Sequence, residues 1–189
     1  MKRNNNSGKV ALGAMLSALS VVILMPSALQ VFVYALPPLA GALVAFATIE
    51  MGKKWAFSVY FCTSAVSLML IANKEAVILY VFFFGYYPIL KAMLEEKCKR
   101  LTEYVIKLAV FNAAIIGAYL TMLYVFGMPF DKLLDFGVDL GSFTKYAHWI
   151  MLALGNVIFI MFDIGLSRWI SLYIFAFQKK FRKLFKFSY

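Results

Sequence analysis

The stretch KRNNNSGKVALGAMLSALSVVILM, residues 2–25, sets Lys2, Arg3 and Lys9 ahead of an uncharged run from Val10 to Met25. A helix of that run has no charged face to turn toward water, and hydrocarbon is the solvent that suits it. Working outward, five more apolar stretches follow: roughly Val31–Ile49, Trp55–Ala72, Ala76–Leu94, Leu108–Phe126 and Tyr146–Phe162. Numbering the gaps between them alternately sorts the positive charge. Sixteen of the nineteen Lys and Arg residues fall on the side of Lys9, Lys53-Lys54, Lys91–Lys107, Arg168 and the C-terminal lysines. The other side holds only Lys74, Lys132 and Lys145. Basic loops stay on the cytoplasmic side of a membrane. The expected fold class is thus an all-α integral membrane protein of six transmembrane helices in one bundle. Its N and C termini are expected to be cytoplasmic, in a multi-pass protein of the cell membrane.

The totals agree. The chain has 189 residues, 63% of them apolar and 15% charged, which no ordinary soluble domain resembles. Each crossing takes about 20 residues, so six crossings leave only short loops and tails. The expected organisation is a basic N-tail over residues 1–9, a membrane domain over 10–168 and a basic amphipathic tail over 169–189. The net charge of +10 lies beside span ends and in the tail, where anionic lipid selects it, so no nucleic-acid partner is expected. The start of the chain could imitate a secretory signal, but Val10–Met25 is long for one and proline would occupy the −3 position, so the first helix is expected to stay. Cys62 is expected to be a small packing residue and Cys98 a free thiol in a cytoplasmic loop.

Local features refine the spans. Pro26 should end or kink the first, and Pro37-Pro38 should break or bend the second. The fourth should kink at Pro88, and Lys91–Lys107 should form a cytoplasmic connector of mixed sign, helical at both ends. The run Tyr146–Phe177 is too long for a bilayer as one straight helix and should end or bend near Gly165–Arg168.

Few residues carry chemistry. Asp163 is the carboxylate expected well inside a span, with Arg168 five residues on as a loose helical partner, either a structural pair or a proton relay. Asn112 and Asn156, near mid-depth, either bond across helices or line a polar pocket. Glu75, Tyr124, His148 and Trp149 fall level with one another at the non-cytoplasmic end, as the rim of a pocket or as an interfacial aromatic belt. The segment Met128–Lys145 alternates Asp131, Asp135 and Asp139 with apolar residues and is expected to lie over the bundle mouth. Ala14 and Ala18, backed by Gly13, Ser17 and Ala11, make a smooth strip on the first helix, which on spacing alone is expected to pack inside this same bundle. No Walker A, His-Glu-x-x-His or Gly-x-Ser-x-Gly pattern and no metal-spaced Cys/His set occurs. No catalytic residue, metal or cofactor is expected, and the chain reads as a protein other than an enzyme.

With six helices, this size and an alanine-x-x-x-alanine motif at Ala14 and Ala18, the chain resembles the substrate-binding S components of energy-coupling factor (ECF-type ABC) transporters. The resemblance implies that Ala14 and Ala18 dock on a membrane coupling subunit joined to two ABC ATPases. It implies that a vitamin-like small molecule or micronutrient binds from outside among Glu75, Tyr124, His148, Trp149 and Asn156, under Met128–Lys145. No vitamin-specific signature is present, which leaves the substrate open. The alternatives are a non-transporting membrane scaffold or cell-envelope assembly factor, and a small ion-coupled carrier using Asp163.

Overall fold

A computed structural model describes residues 6–29, 32–97, 99–127 and 147–178, with the side chains of 147–151 outside that description. Among these residues the chain is all-helical: α1 (Asn6–Leu24), α2 (Leu36–Met51), α3 (Lys53–Leu70), α4 (Lys74–Leu79), α5 (Tyr87–Lys97), α6 (Arg100–Tyr124) and α7 (Ala147–Ala176). A π-turn over Tyr80–Phe84 joins α4 to α5, so these two make one irregular rod and the bundle has six.

Four of the rods are long and apolar enough to cross a membrane: Asn6–Ala28, Lys74–Lys97, Arg100–Tyr124 and Leu152–Ala176. Four such helices in one short chain suggest a multi-pass membrane protein. The other two expected spans fall short. α2 has 16 residues, and α3 opens on two lysines and carries hydroxyls along its length.

Proline placement explains the first half. Pro26 sits in a 3-10 turn, Met25–Ala28, that closes α1. Pro37-Pro38 does not break a helix as expected; it starts one, because the first turn holds N–H groups that have no intrahelical partner to lose. Gly52, with φ of 90°, makes the whole connection between α2 and α3. Asn73 caps α4 by accepting from the N–H of Glu75 and Ala76 at 3.1 and 3.3 Å.

The fourth rod departs from expectation in position. Its irregularity begins at Tyr80, two turns before Pro88, which instead lies in the first turn of α5. The Gly85 N–H reaches back to the Tyr80 carbonyl at 2.7 Å, and the Val81 carbonyl is taken by the Tyr60 hydroxyl at 2.8 Å. Three neighbours hold this turn. A Cβ on Gly41 of α2 would lie 2.4 Å from the Phe84 carbonyl oxygen, so only glycine lets the two backbones meet. A Cβ on Gly85 would lie 2.5 Å from the Tyr60 ring. On the far side Phe82 packs onto Gly117 of α6.

Two large apolar clusters result, beside a small one of Ile78, Ala118 and Met122. The first joins Leu12, Leu16 and Leu24 of α1 with Val44 of α2, Val59 of α3, and Val77, Tyr80 and Ile89 of the fourth rod. The second centres on Phe83 and Tyr87 and gathers Phe111 and Ala114 of α6 with Phe159 and Leu166 of α7. Phe111 stacks on Phe159 with centroids 4.7 Å apart. The irregular rod belongs to both clusters and is the spine of the bundle.

α7 runs unbroken through Gly165–Arg168, where an end or bend was expected. A Cβ at Gly165 would meet nothing within 4 Å, and no proline interrupts the helix, so nothing local stops it. α5 ends at Lys97 and α6 starts at Arg100, so the segment Lys91–Lys107 is helical at both ends, as expected, with Lys91 and Lys107 inside the helices. Cys62 is exposed on the outer face of α3 and is not a packing residue. Cys98 lies outside the described residues.

Candidate functional site

Helix pairing decides which residues share an end. Lys107 meets Asp163, Asn112 meets Asn156 and Phe111 meets Phe159, so α6 and α7 are antiparallel. Lys91 and Lys107 share Glu95 while Phe82 meets Gly117, so the fourth rod is antiparallel to α6. The start of α4, the end of α6 and the start of α7 therefore lie together. The opposite end carries Lys53, Lys97 and Arg100, and there Lys53 of α3 pairs with Glu96 of α5.

At the first of these ends Glu75 accepts the Tyr34 hydroxyl at 2.5 Å, and the Asn73 amide donates to the Ser27 carbonyl at 2.8 Å. Burial, reinforced by the Glu75 carboxylate, pushes the Tyr34 phenol above its ordinary pKa, so it stays a donor. Tyr124 closes α6 and is 79% exposed. His148 and Trp149 fall in the first turn of α7 with side chains outside the described residues, and Met128–Lys145 lies outside them altogether. Asn156 is deeper in the bundle and faces another helix. Its amide donates to Asn112 Oδ1 at 3.1 Å and to the Leu152 carbonyl at 2.7 Å, and it accepts from Asn112 at 3.0 Å. Asn112 mirrors it by donating to the Leu108 carbonyl at 2.8 Å. The two amides satisfy each other across α6 and α7.

The chemistry the sequence did not locate is a buried ionic knot. Asp163 of α7 accepts from the Tyr87 hydroxyl and the Lys91 ammonium of α5, each at 2.5 Å, and lies 3.3 Å from the Lys107 ammonium of α6. Glu95 lies 2.6 Å from Lys91 and 3.3 Å from Lys107, and Glu103 pairs with Lys107 one turn away. Lys91 and Lys107 are 2% and 1% exposed, so their charges depend on these carboxylates. Arg168 is not the partner of Asp163. Five residues along a helix point to a different face, whereas three or four share one. Nor is Asp163 alone, since Glu50 and Glu103 are buried as well. The sequence did carry a signal: Lys91 and Lys107 stand among apolar residues with a glutamate four positions away, at Glu95 and Glu103.

The first helix divides the expected strip: Gly13 and Ser17 pack inside the bundle, and the alanines do not. Leu12, Leu16, Ser20, Val21 and Leu24 are its buried residues, and Gly13 and Ser17 lie against Val59 of α3. Ala11, Ala14 and Ala18 are exposed. The alanine strip therefore packs on no element of this bundle among the described residues.

The fold and these constellations define a helical-bundle protein with candidate membrane spans and a charged lock in its interior. No protein-family model, no curated protein and no solved structure matches the chain.

Proposed function

We propose that this chain is the substrate-binding membrane subunit of an importer of the energy-coupling factor type, working with a separate coupling subunit and its ATPases rather than as an enzyme. The observation that carries the reading is the outward face of α1. Ala14 and Ala18 lie exposed four residues apart, and the helix is anchored to its own bundle by the opposite face. Small residues at that spacing let a second helix backbone approach closely, and close packing is much of what joins helices in lipid. On this reading all six rods cross the plasma membrane, with the lysine-rich end and both termini in the cytoplasm. A vitamin-like small molecule or micronutrient enters from the opposite end.

A proton- or ion-coupled carrier would need Asp163 to exchange its partner, yet two buried ammonium groups hold it. That engagement favours a structural role for the acid. A membrane scaffold would use the same α1 face without binding a small molecule.

Affinity purification of the tagged protein from its native host in mild detergent, with mass spectrometry of what is retained, tests the proposal. The expected result is recovery of a membrane subunit together with two ABC-type ATPases. Recovery of envelope-assembly proteins with no ATPase overturns it in favour of the scaffold.

A further inference from the structure

Many hydroxyl groups in this bundle bond to the backbone of their own helix. Ser20, Thr48, Thr121, Ser167 and Ser171 each donate to the carbonyl four residues back, at 2.8 to 2.9 Å. Thr63, Ser64 and Ser67 of α3 do not, although all three are buried. They stand at i, i+1 and i+4 and so share one face of the helix. The opposite face of α3 exposes Cys62, Ala65 and Met69, and its flanks expose Phe57, Phe61, Val66 and Leu68. α3 therefore turns its apolar side outward and its hydroxyls inward, as helices in hydrocarbon do when their polar groups line an interior path.

Those hydroxyls meet a fourth. The Tyr80 phenol, fully buried at the junction of α4 and the π-turn, faces the Thr63 hydroxyl with no bond closed between them, and its ring centroid lies 6.2 Å from that of Tyr60. At the Asn73 end of α4, the buried Ser27 hydroxyl is unpaired as well. Each such group left without a partner costs about 1–3 kcal/mol, so the loss repeats along a single seam. The seam ends on a π-turn, an irregularity that recurs at functional sites. Between residues 61 and 80 the only charged side chains are Lys74 and Glu75, both at its mouth. Lys74 is bound to the carbonyls of Leu68 and Ile71, and Glu75 to Tyr34.

We propose that the seam between α3 and α4 is a polar binding cleft, entered where Ser27 meets Asn73 and floored by Tyr80, that takes water and a small uncharged solute rich in hydroxyl or amide groups. Groups that both donate and accept suit such a solute, and the lack of charge along the seam disfavours an ion. Because Thr63, Ser67 and Tyr80 are closed off from solvent, admission requires the six-residue α4 to move against α3 about the π-turn. The cleft is the substrate site of the importer reading and rests on it for the direction of transport; its chemistry is read from the seam alone.

The test places single cysteines at Thr63→Cys, Ser64→Cys and Ser67→Cys in a Cys62→Ser, Cys98→Ser background, in lipid nanodiscs. The probe is 2-hydroxyethyl methanethiosulfonate, itself small, neutral and hydroxylated. Ala65→Cys and Met69→Cys on the opposite face of the same helix are the controls. Thiols react as thiolates, which need water, so the seam positions should label on the order of ten-fold faster than the controls. In parallel, Tyr80→Phe and Ser67→Ala should lower the Tm, because each removes a group that is bonded to bound water or solute. Labelling at the control rate overturns the proposal, and so does a gain in Tm, the mark of a dry seam relieved of an orphan hydroxyl. Neither readout depends on the ATPase partners, so failure here and failure of the importer reading are told apart.

Discussion

The carboxylate of Asp163 and the ammonium of Lys91 lie 2.5 Å apart although 72 residues separate them in sequence. The contact closes α7 onto the irregular rod, and Lys107 extends it to α6. Three helices thus converge on one carboxyl group.

Removing that group leaves two buried ammonium ions short of a partner. Asp163→Ala should destabilise the protein by about 3–5 kcal/mol, as for other broken buried pairs. The double change Asp163→Leu with Lys91→Met should cost less than Asp163→Ala alone, because it removes charge together with its partner. Thermal unfolding in nanodiscs measures both, and an equal or greater loss in the double variant would refute the lock.

The reciprocal amides of Asn112 and Asn156 predict coupling. Asn112→Leu and Asn156→Leu should each cost about 0.6–2 kcal/mol, the range for polar contacts between membrane helices. The double variant should lose much less than the two losses added. A double-mutant cycle on Tm reads this directly, and strict additivity would mean that the amides work independently.

Backbone proximity around the π-turn predicts intolerance of a single methyl group. Gly41→Ala places a Cβ against the Phe84 carbonyl, and Gly85→Ala one against the Tyr60 ring. Each should destabilise by about 1–3 kcal/mol or more. Gly165→Ala, in open space on α7, is the control and should be neutral or slightly stabilising. If Gly41→Ala is as stable as the control, α2 does not approach the turn as described.

Ala14→Trp with Ala18→Trp should leave the unfolding free energy within about 0.5 kcal/mol of the parent, since both sites are exposed. The same pair should abolish co-purification of the coupling subunit. Retained co-purification would move the docking face elsewhere on the bundle.

Much of the fold was legible because it depends on composition and punctuation. Apolar run length gave the helices, and Gly52 and Asn73 marked turns that the structure places there. Pro37-Pro38 misled because proline has opposite meanings in the first turn of a helix and in its middle, and apolar flanks do not say which applies. Asp163 was visible as a buried acid, yet its partners lie on other helices, and one sequence carries no record of which faces meet. The same gap hid the outward turn of Ala14 and Ala18. Small residues four apart permit close packing without stating what packs. Asn112 and Asn156 were singled out together, and the two amides bond to each other across helices. The α3 hydroxyls drew no notice because Ser and Thr in a helix ordinarily bond to their own backbone.

The ionic knot also bears on how the chain is made. The apolar cluster of α1 to α5 draws its members from Leu12 through Ile89, all synthesised before α6 exists. Until α7 emerges, Lys91 has only Glu95 and Lys107 has Glu95 and Glu103. Helix α7 therefore brings a third carboxylate to two lysines that are already paired, and with it the bonds to Tyr87 and Lys91 of α5 and to Lys107 of α6. The first six helices thus leave neither of these lysines an orphan charge while they await α7, and the knot is the clasp that fastens that helix onto a bundle already assembled.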